Sequence, residues 1–456
     1  MRSVSLFLAA TMLASLAAPV AVRAEAAAPA APVKAPPTLE TPNLPEAAAA
    51  ASAIKIPAGD ADDPAVWIHP TTPADSLVVT AVKDGGMRVY DLRGRLIQMV
   101  LPRRTEHGDG RINNVDVAYG LAFPDGSTAD VAVASDRGLD VLRVFRIDGD
   151  ATPLEEITAQ PTKRAFKERP RDDGTGAVAN PLTEQETVYG LALWKEPGGD
   201  VLVAVTQRHQ PRIGLFRLVP KADGTVATEY VRDFRFPVRF KGQDLRLEND
   251  DDPSKDWSPQ FEGLVVDQRT GILYAGQEDV GIWRVDLAAG QAATRPFYTT
   301  RGAVGSHFHV PQSRIARDVE GLTIYYGEDG GGYLLASSQG QAHGDARAPD
   351  APYDDSFAVF DLDGKAIPRY RGSFRIGANS GEKIDAVQES DGAEVISWGL
   401  PGFPNGLFIT QDGYDGDDFS GEVDSTNFKY VDWGRIARAL KPQLDVTPGA
   451  YDPRNP

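Results

Sequence analysis

Six times along this chain an apolar strand runs into a polar or charged residue, and that recurrence restricts the fold more than any other feature. The strands are LVVTAVK ending at Lys83, VAVASDR at Arg137, VLVAVTQR at Arg208, ILYAGQE at Glu278, YLLASSQ at Gln339 and LFITQD at Asp412. From Leu77 to Leu407, successive repeats lie 54 to 74 residues apart. A second element precedes each one: DDPAVWIHP from Asp62, NNVDVAYGLAF from Asn113, TVYGLALW from Thr187, FEGLVVD from Phe261, VEGLTIYY from Val319 and, more weakly, EKIDAVQES from Glu382. Hairpin turns are explicit in YDLRGRL at 90–96, FRIDGD at 145–150 and FDLDGKAI at 360–367, where Gly follows Arg or Asp between apolar runs. Periods of this size, with roughly four strands each, belong to propeller blades rather than to helical solenoids. The expected fold class is all-β, a six-bladed β-propeller over residues 54–440. An amphipathic helical stretch is expected only at WGRIARAL, 433–440.

The strand ends are sorted by charge. Lys83, Arg137 and Arg208 come first; Glu278, Gln339 and Asp412 follow. Closing six such units into a ring gives one pole with cations on one side and carboxylates on the other. Tyr189, Glu262 and Glu320 occupy equivalent positions just before Gly-Leu, at the start of three inner strands that would line a central channel. The adjacent glycines are expected to let backbone approach a ligand or metal closely. Insertions at 161–176, 241–259 and 305–316 vary the spacing, and such loops decorate one face.

Composition excludes several classes of function. A formal charge of −18 argues against nucleic acid, whose phosphates are held by clustered Lys and Arg. An anionic substrate would need a bridging cation. The absence of cysteine removes disulfides, thiolate metal sites and cysteine nucleophiles. Residues 1–24, MRSVSLFLAATMLASLAAPVAVRA, have the charged start, apolar run and small-residue end of a secretory signal. A secreted or periplasmic protein, free of membrane after cleavage, is therefore expected. Residues 25–53 are rich in Ala and Pro and read as a disordered linker, with 441–456 as a C-terminal tail.

Candidate ligands are carboxylates: Asp62, Asp63, Asp116, Glu262, Glu278, Asp318, Glu320, Asp385, Asp391, Asp412 and Asp415. Hard oxygens without a His or Cys cluster select calcium or magnesium over zinc, and calcium takes about 6 to 8 oxygens per ion. Taken singly, each Asp is as well explained by a solvated turn. His307 and His309 lie in an insertion without an obvious third ligand, so loop histidines are the plainer explanation. Arg208-His209 begins the nucleophilic motif of histidine acid phosphatases, but the following Gln-Pro-Arg does not complete it.

GDADDPAVW at 59–67, NNVDVAYG at 113–120, VYGLALW at 188–194, QEDVGIW at 277–283, DVEGLTIYY at 318–326, GGYLLASSQG at 331–340 and ITQDG at 409–413 resemble, in order, the motifs of β-propeller phytases. The resemblance implies calcium-dependent release of phosphate from myo-inositol hexakisphosphate (phytate), as a 3-phytase, with several calcium ions. The substrate would be a calcium-phytate complex, met by a monomeric enzyme. It also implies phosphate-binding roles for Lys83, Arg137, Tyr189, Arg208 and Gln339. Calcium-ligating and water-activating roles are implied for Glu262, Glu278, Asp318, Glu320, Asp385 and Asp391, with Asp318, Glu320, Asp391 and Glu262 as the catalytic group. Three departures stand out: Val82 where the family commonly has a first lysine, Arg208 for a lysine, and Asp415 for an asparagine. Two other functions are compatible with the carboxylates: a lactonase-like calcium-dependent propeller hydrolase, which would not need the cationic arc, and a non-catalytic inositol-phosphate-binding propeller.

Overall fold

The computed structural model describes residues 31–45, 59–106, 108–167, 169–170, 178–245, 258–302, 309–340, 351–414 and 425–455. The signal sequence, Ile54, His307 and Asp415 lie outside them. Six antiparallel sheets follow one another along the chain. Their innermost strands are Pro64–Trp67, Ile112–Ala122, Val188–Lys195, Phe261–Asp267, Val319–Tyr326 and Ala393–Ile396. Each inner strand packs against the next, and Ala393–Ile396 packs against Pro64–Trp67, so the six blades close into a ring. Second strands such as Val201–Gln207 are buried along their whole length, because neighbouring blades cover both faces. The outer strand Leu96–Val100 alternates in exposure, with one face to solvent. The core is a series of apolar seams between blades; Phe236, Phe261 and Trp283 fill one, and Trp433 stacks on Tyr325 in another.

The ring is completed from both ends of the propeller sequence. The proposed tether is not a tether over residues 33–45: Val33–Ala35 pairs in parallel with Phe374–Ile376, while Leu39–Glu40 and Leu44–Pro45 pair with Ser425–Asp432. Few large apolar residues suffice there, because an edge strand takes its stability from backbone hydrogen bonds to a sheet already formed. Ala35 and Leu44 are nevertheless fully buried. The helix Trp433–Ala439 matches the expectation, N-capped by the Asp432 carboxylate, which accepts from the backbone N–H of Gly434 at 3.0 Å.

The tail after 440 is also built in. Tyr451 stacks on Tyr326 with ring centroids 4.0 Å apart, and the Arg269 guanidinium lies over both rings while donating to the Gly327 and Ala450 carbonyls. Arg454 pairs with Asp130 at 2.7 Å and covers the Tyr119 ring. Tyr451 and Pro453 line a central cavity of about 130 Å³ together with Asp63, Asp116 and Glu394. These tail contacts fall at the far ends of the inner strands, so the tail closes the pole opposite their starts.

Candidate active site

The Gly-Leu signature marks β-bulges. Register shifts fall between Val188 and Leu191, between Phe261 and Leu264, and between Val319 and Leu322. The extra residue turns Tyr189, Glu262 and Glu320 toward the channel mouth. The glycines serve neighbouring blades rather than a ligand: a Cβ on Gly190 would lie 1.8 Å from the Glu262 carbonyl oxygen, and one on Gly263 would lie 1.9 Å from that of Glu320. Glu262 and Glu320 are thereby packed against the glycine of the preceding blade, which sets the spacing of these two carboxylates around the ring.

Glu262, Glu278 and Glu320 are buried and bring carboxylate oxygens within 4.8 Å of one another. Burial raises the Glu278 and Glu320 carboxyls well above their usual range, and neighbouring carboxylates raise them further: Asp318 and then Glu262 for Glu278, Glu262 and then Glu278 for Glu320. One oxygen of each, Glu278 Oε1 and Glu320 Oε2, has no hydrogen-bond partner. The other side of the cluster is fixed by amides. Asn113 Nδ2 donates to Glu262 Oε1 at 2.6 Å, and Gln260 Nε2 donates to Glu278 Oε2 at 2.7 Å. Gln260 Oε1 in turn accepts from the backbone N–H of His209, beside Arg208. Three converging carboxylates, two of them with unpartnered oxygens, suit a hard divalent ion such as calcium.

Next to this cluster Lys83 Nζ lies 2.7 Å from Asp60, 3.2 Å from Asp391 and 3.7 Å from Asp62. Burial alone would lower the lysine, but Asp391, Asp62 and Asp60 outweigh it and hold the ammonium charged. Burial raises Asp391 to about 6, against the pull of Lys83. Gln339 Nε2 also donates to Asp391, at 2.5 Å. Both Asp62 oxygens lack a hydrogen bond although the residue is fully enclosed. Across the mouth, Arg137 and Arg208 stand over the Tyr189 ring, 5.3 and 5.7 Å from its centroid. Burial and then these two guanidiniums lower His209 to about 4, so its imidazole is neutral.

The expected ligands thus divide. Glu262, Glu278 and Glu320 converge, with Asp318 close enough to act on Glu278 electrostatically and Asp62 and Asp391 beside them. Asp63 and Asp116 face the channel cavity below; Asp63 accepts from the Val115 N–H, while Asp116 accepts from Val117 and Leu193. Asp385 and Asp412 lie apart, around the fully buried ammonium of Lys429, which is 3.0 Å from Asp412, 2.5 Å from Glu40 and also bonded to Asp385. A lysine supplies the positive charge there. Sequence reasoning missed Asp60, Asn113 and Gln260 as site residues, although Asp60 and Asn113 lie inside the motifs GDADDPAVW and NNVDVAYG.

A sequence profile described as Phytase matches residues 7–455. The 3-phytase of Bacillus subtilis (strain 168) is 31% identical over 396 residues, covering 86% of this chain and 84% of that protein. With the six-bladed ring, the glutamate cluster and the facing arginines already in place, these matches settle the lineage: the chain belongs to the phytase family.

Proposed function

We propose that this protein releases inorganic phosphate from phytate, as a 3-phytase, with calcium held at the mouth of the ring and water as the nucleophile, leaving lower inositol phosphates. The observation that carries this is the opposition of three buried glutamates, two with unpartnered oxygens, to a pair of arginines mounted on one tyrosine. Phytate carries six phosphates of about −1.5 to −2 each, and a bare acidic mouth would repel it. Glu262, Glu278 and Glu320, with the neighbouring Asp62, Asp318 and Asp391, would hold calcium, which when bound would supply positive charge to phosphate oxygens and make water more acidic. Arg137 and Arg208 present planar forks to the phosphate undergoing transfer or its neighbour, stabilising charge on the equatorial oxygens. Lys83 and Gln339 approach from the opposite side through Asp391. Asn113 and Gln260 hold one oxygen of Glu262 and Glu278, so the remaining oxygens are oriented before substrate arrives.

The N-terminal signal supports export to the periplasm or beyond, with the mature chain acting as a monomer. No helix among the described residues is long and apolar enough to cross a membrane. The test is phosphate release from phytate by the mature protein with calcium and with a chelator. Calcium-dependent release is expected; no release in either condition would leave a binding propeller. A second prediction separates the Tyr189 ring from its hydroxyl. A cation–π contact is worth about 0.5 to 2 kcal/mol, so Tyr189→Leu is expected to raise KM for phytate by about tenfold. Tyr189→Phe keeps the ring and is expected to stay within about threefold of the wild type. Equal losses in both variants would assign the effect to the hydroxyl instead.

A further inference from the structure

Two pairs of neighbouring blades are joined at the mouth by the same set of side chains. In the second blade the second strand is Thr128–Asp136, with Ser135 next to last; Arg137 follows it, and Asp140 stands immediately before the third strand, Val141–Ile147. In the fifth blade the second strand is Gly331–Ser338, with Ser337 next to last; Gln339 follows it, and Asp355 stands immediately before the third strand, Ser356–Asp363. Both aspartates have left-handed backbone, with φ of 56° and 49°. Asp tolerates that conformation better than most residues. Before the third strands of the first, third and fourth blades stand Gly86, Pro211 and Val280, whose side chains cannot accept a hydrogen bond.

Each set reaches into the next blade and grips the backbone beside a site residue. The Ser135 hydroxyl donates to the Tyr189 carbonyl, and Asp140 Oδ1 accepts from the Val188 N–H at 3.1 Å. The Ser337 hydroxyl donates to the Ser390 carbonyl at 2.8 Å, and Asp355 Oδ1 accepts from the Glu389 N–H at 2.9 Å. The spacing is identical: the N–H of one residue and the carbonyl of the next. In both places the residue that ends the second strand then meets the site side chain, Arg137 over the Tyr189 ring and Gln339 on the Asp391 carboxylate. Ser135, Ser337 and Asp140 are fully buried, so water cannot replace a lost bond. Asp140 Oδ2 also accepts from the Phe166 N–H at 3.0 Å. Burial raises its carboxyl to about 7, while these two N–H groups and then Arg164 and Arg212 pull the other way.

We propose that Ser135 with Asp140, and Ser337 with Asp355, are positioning pairs by which one blade sets the site residue of the next: Tyr189 beneath its arginines, and Asp391 against Lys83 and Gln339. The kinetic consequence rests on the proposed phytase activity; the positioning itself is read without it. The variants are Asp140→Gly, which removes the carboxylate while accepting the left-handed backbone, and the smaller change Ser135→Ala. In each, KM for phytate is expected to rise about threefold to tenfold with kcat within about twofold. In a Tyr189→Leu background the same changes are expected to add less than about twofold, since they act through that ring. An undiminished loss in that background overturns the proposal, because a general weakening of the fold would add to the loss of Tyr189. The second readout is fluorine NMR of protein labelled with 3-fluorotyrosine, in which the resonance missing from Tyr189→Phe identifies Tyr189. That resonance is expected to move in Asp140→Gly and Ser135→Ala and to stay in place in Asp355→Gly. A Tyr189 resonance unmoved by both of the first two variants overturns the first pair. Asp355→Gly is expected to weaken calcium binding, measured by calorimetry, about threefold, and unchanged affinity overturns the second pair. Should the wild type release no phosphate, the activity reading fails separately, and the fluorine and calorimetric results still decide the positioning.

Discussion

Glu320→Gln is expected to reduce phosphate release from phytate by about 10²- to 10³-fold while making the calcium-free protein more stable, not less. Glu320 is turned into the mouth by a bulge, buried, and left with an unpartnered Oε2 among two other glutamates. Glutamine keeps the shape and removes the charge, so a ligand for calcium is lost without a cavity. The sign of the stability change follows from the raised carboxyl. Its folded value lies above the unfolded value of about 4.3, so the folded state is favoured at low pH and penalised as pH climbs past that unfolded value. Removing the group removes the penalty. In chelator, the variant should therefore unfold at higher temperature than the wild type near pH 7, with the difference closing toward pH 4. Calorimetry should show weaker calcium binding. A variant that retained full activity, or lost activity only because it unfolded, would remove Glu320 from the proposed calcium centre.

Lys429→Met is expected to cost about 3 to 5 kcal/mol of stability, the range for stripping one partner from a buried ionic cluster. The ammonium is completely enclosed and faces Asp412, Asp385 and Glu40. Burial raises Asp412 to about 8 even with the lysine opposing it. Without that cation the carboxyl must take up a proton to remain buried. Holding it neutral becomes more costly by about 1.4 kcal/mol for each pH unit above the unfolded value of about 3.9. The wild type bears the same cost until its Asp412 ionises near pH 8, so the deficit in thermal unfolding should stay constant below about pH 8 and widen above it. A deficit independent of pH would mean that packing of the lysine stem, not its charge, is what matters. Because Glu40 belongs to the N-terminal strand and Asp385 to the approach to the sixth blade, the same lysine links the two ends that close the ring.

Much of the architecture was legible because blade hairpins are local. Alternation, turn glycines and the recurrence of LVVTA-like strands report on residues a few positions apart, and the six sheets follow them in order. The Gly-Leu signature was visible and does stand at the start of the inner strands, but the use of its glycines was not legible. A bulge and a strand start share the same letters, and only the neighbouring blade reveals why Gly190 and Gly263 tolerate no Cβ. The N-terminal strands escaped notice for a related reason: Val33–Ala35 and Leu39–Glu40 are too short to carry a period of their own and exist because a finished sheet edge receives them. The tail is comparable, since Tyr451 and Arg454 find their partners within the ring, Tyr326 on an inner strand and Asp130 on a second strand.

From sequence alone came the residue types at each strand end, their sorting by charge and the number of blades, because all three depend on short-range pattern. Which carboxylates would share a cation site and which would surround a lysine was decided by ring closure. Lys83 meets Asp391 across 308 positions, Asn113 meets Glu262 across 149, and Lys429 meets Glu40 across 389. A charge cannot choose its counter-charge until the backbone has brought the candidates within a few ångströms, and burial then makes that choice binding by removing water as an alternative partner.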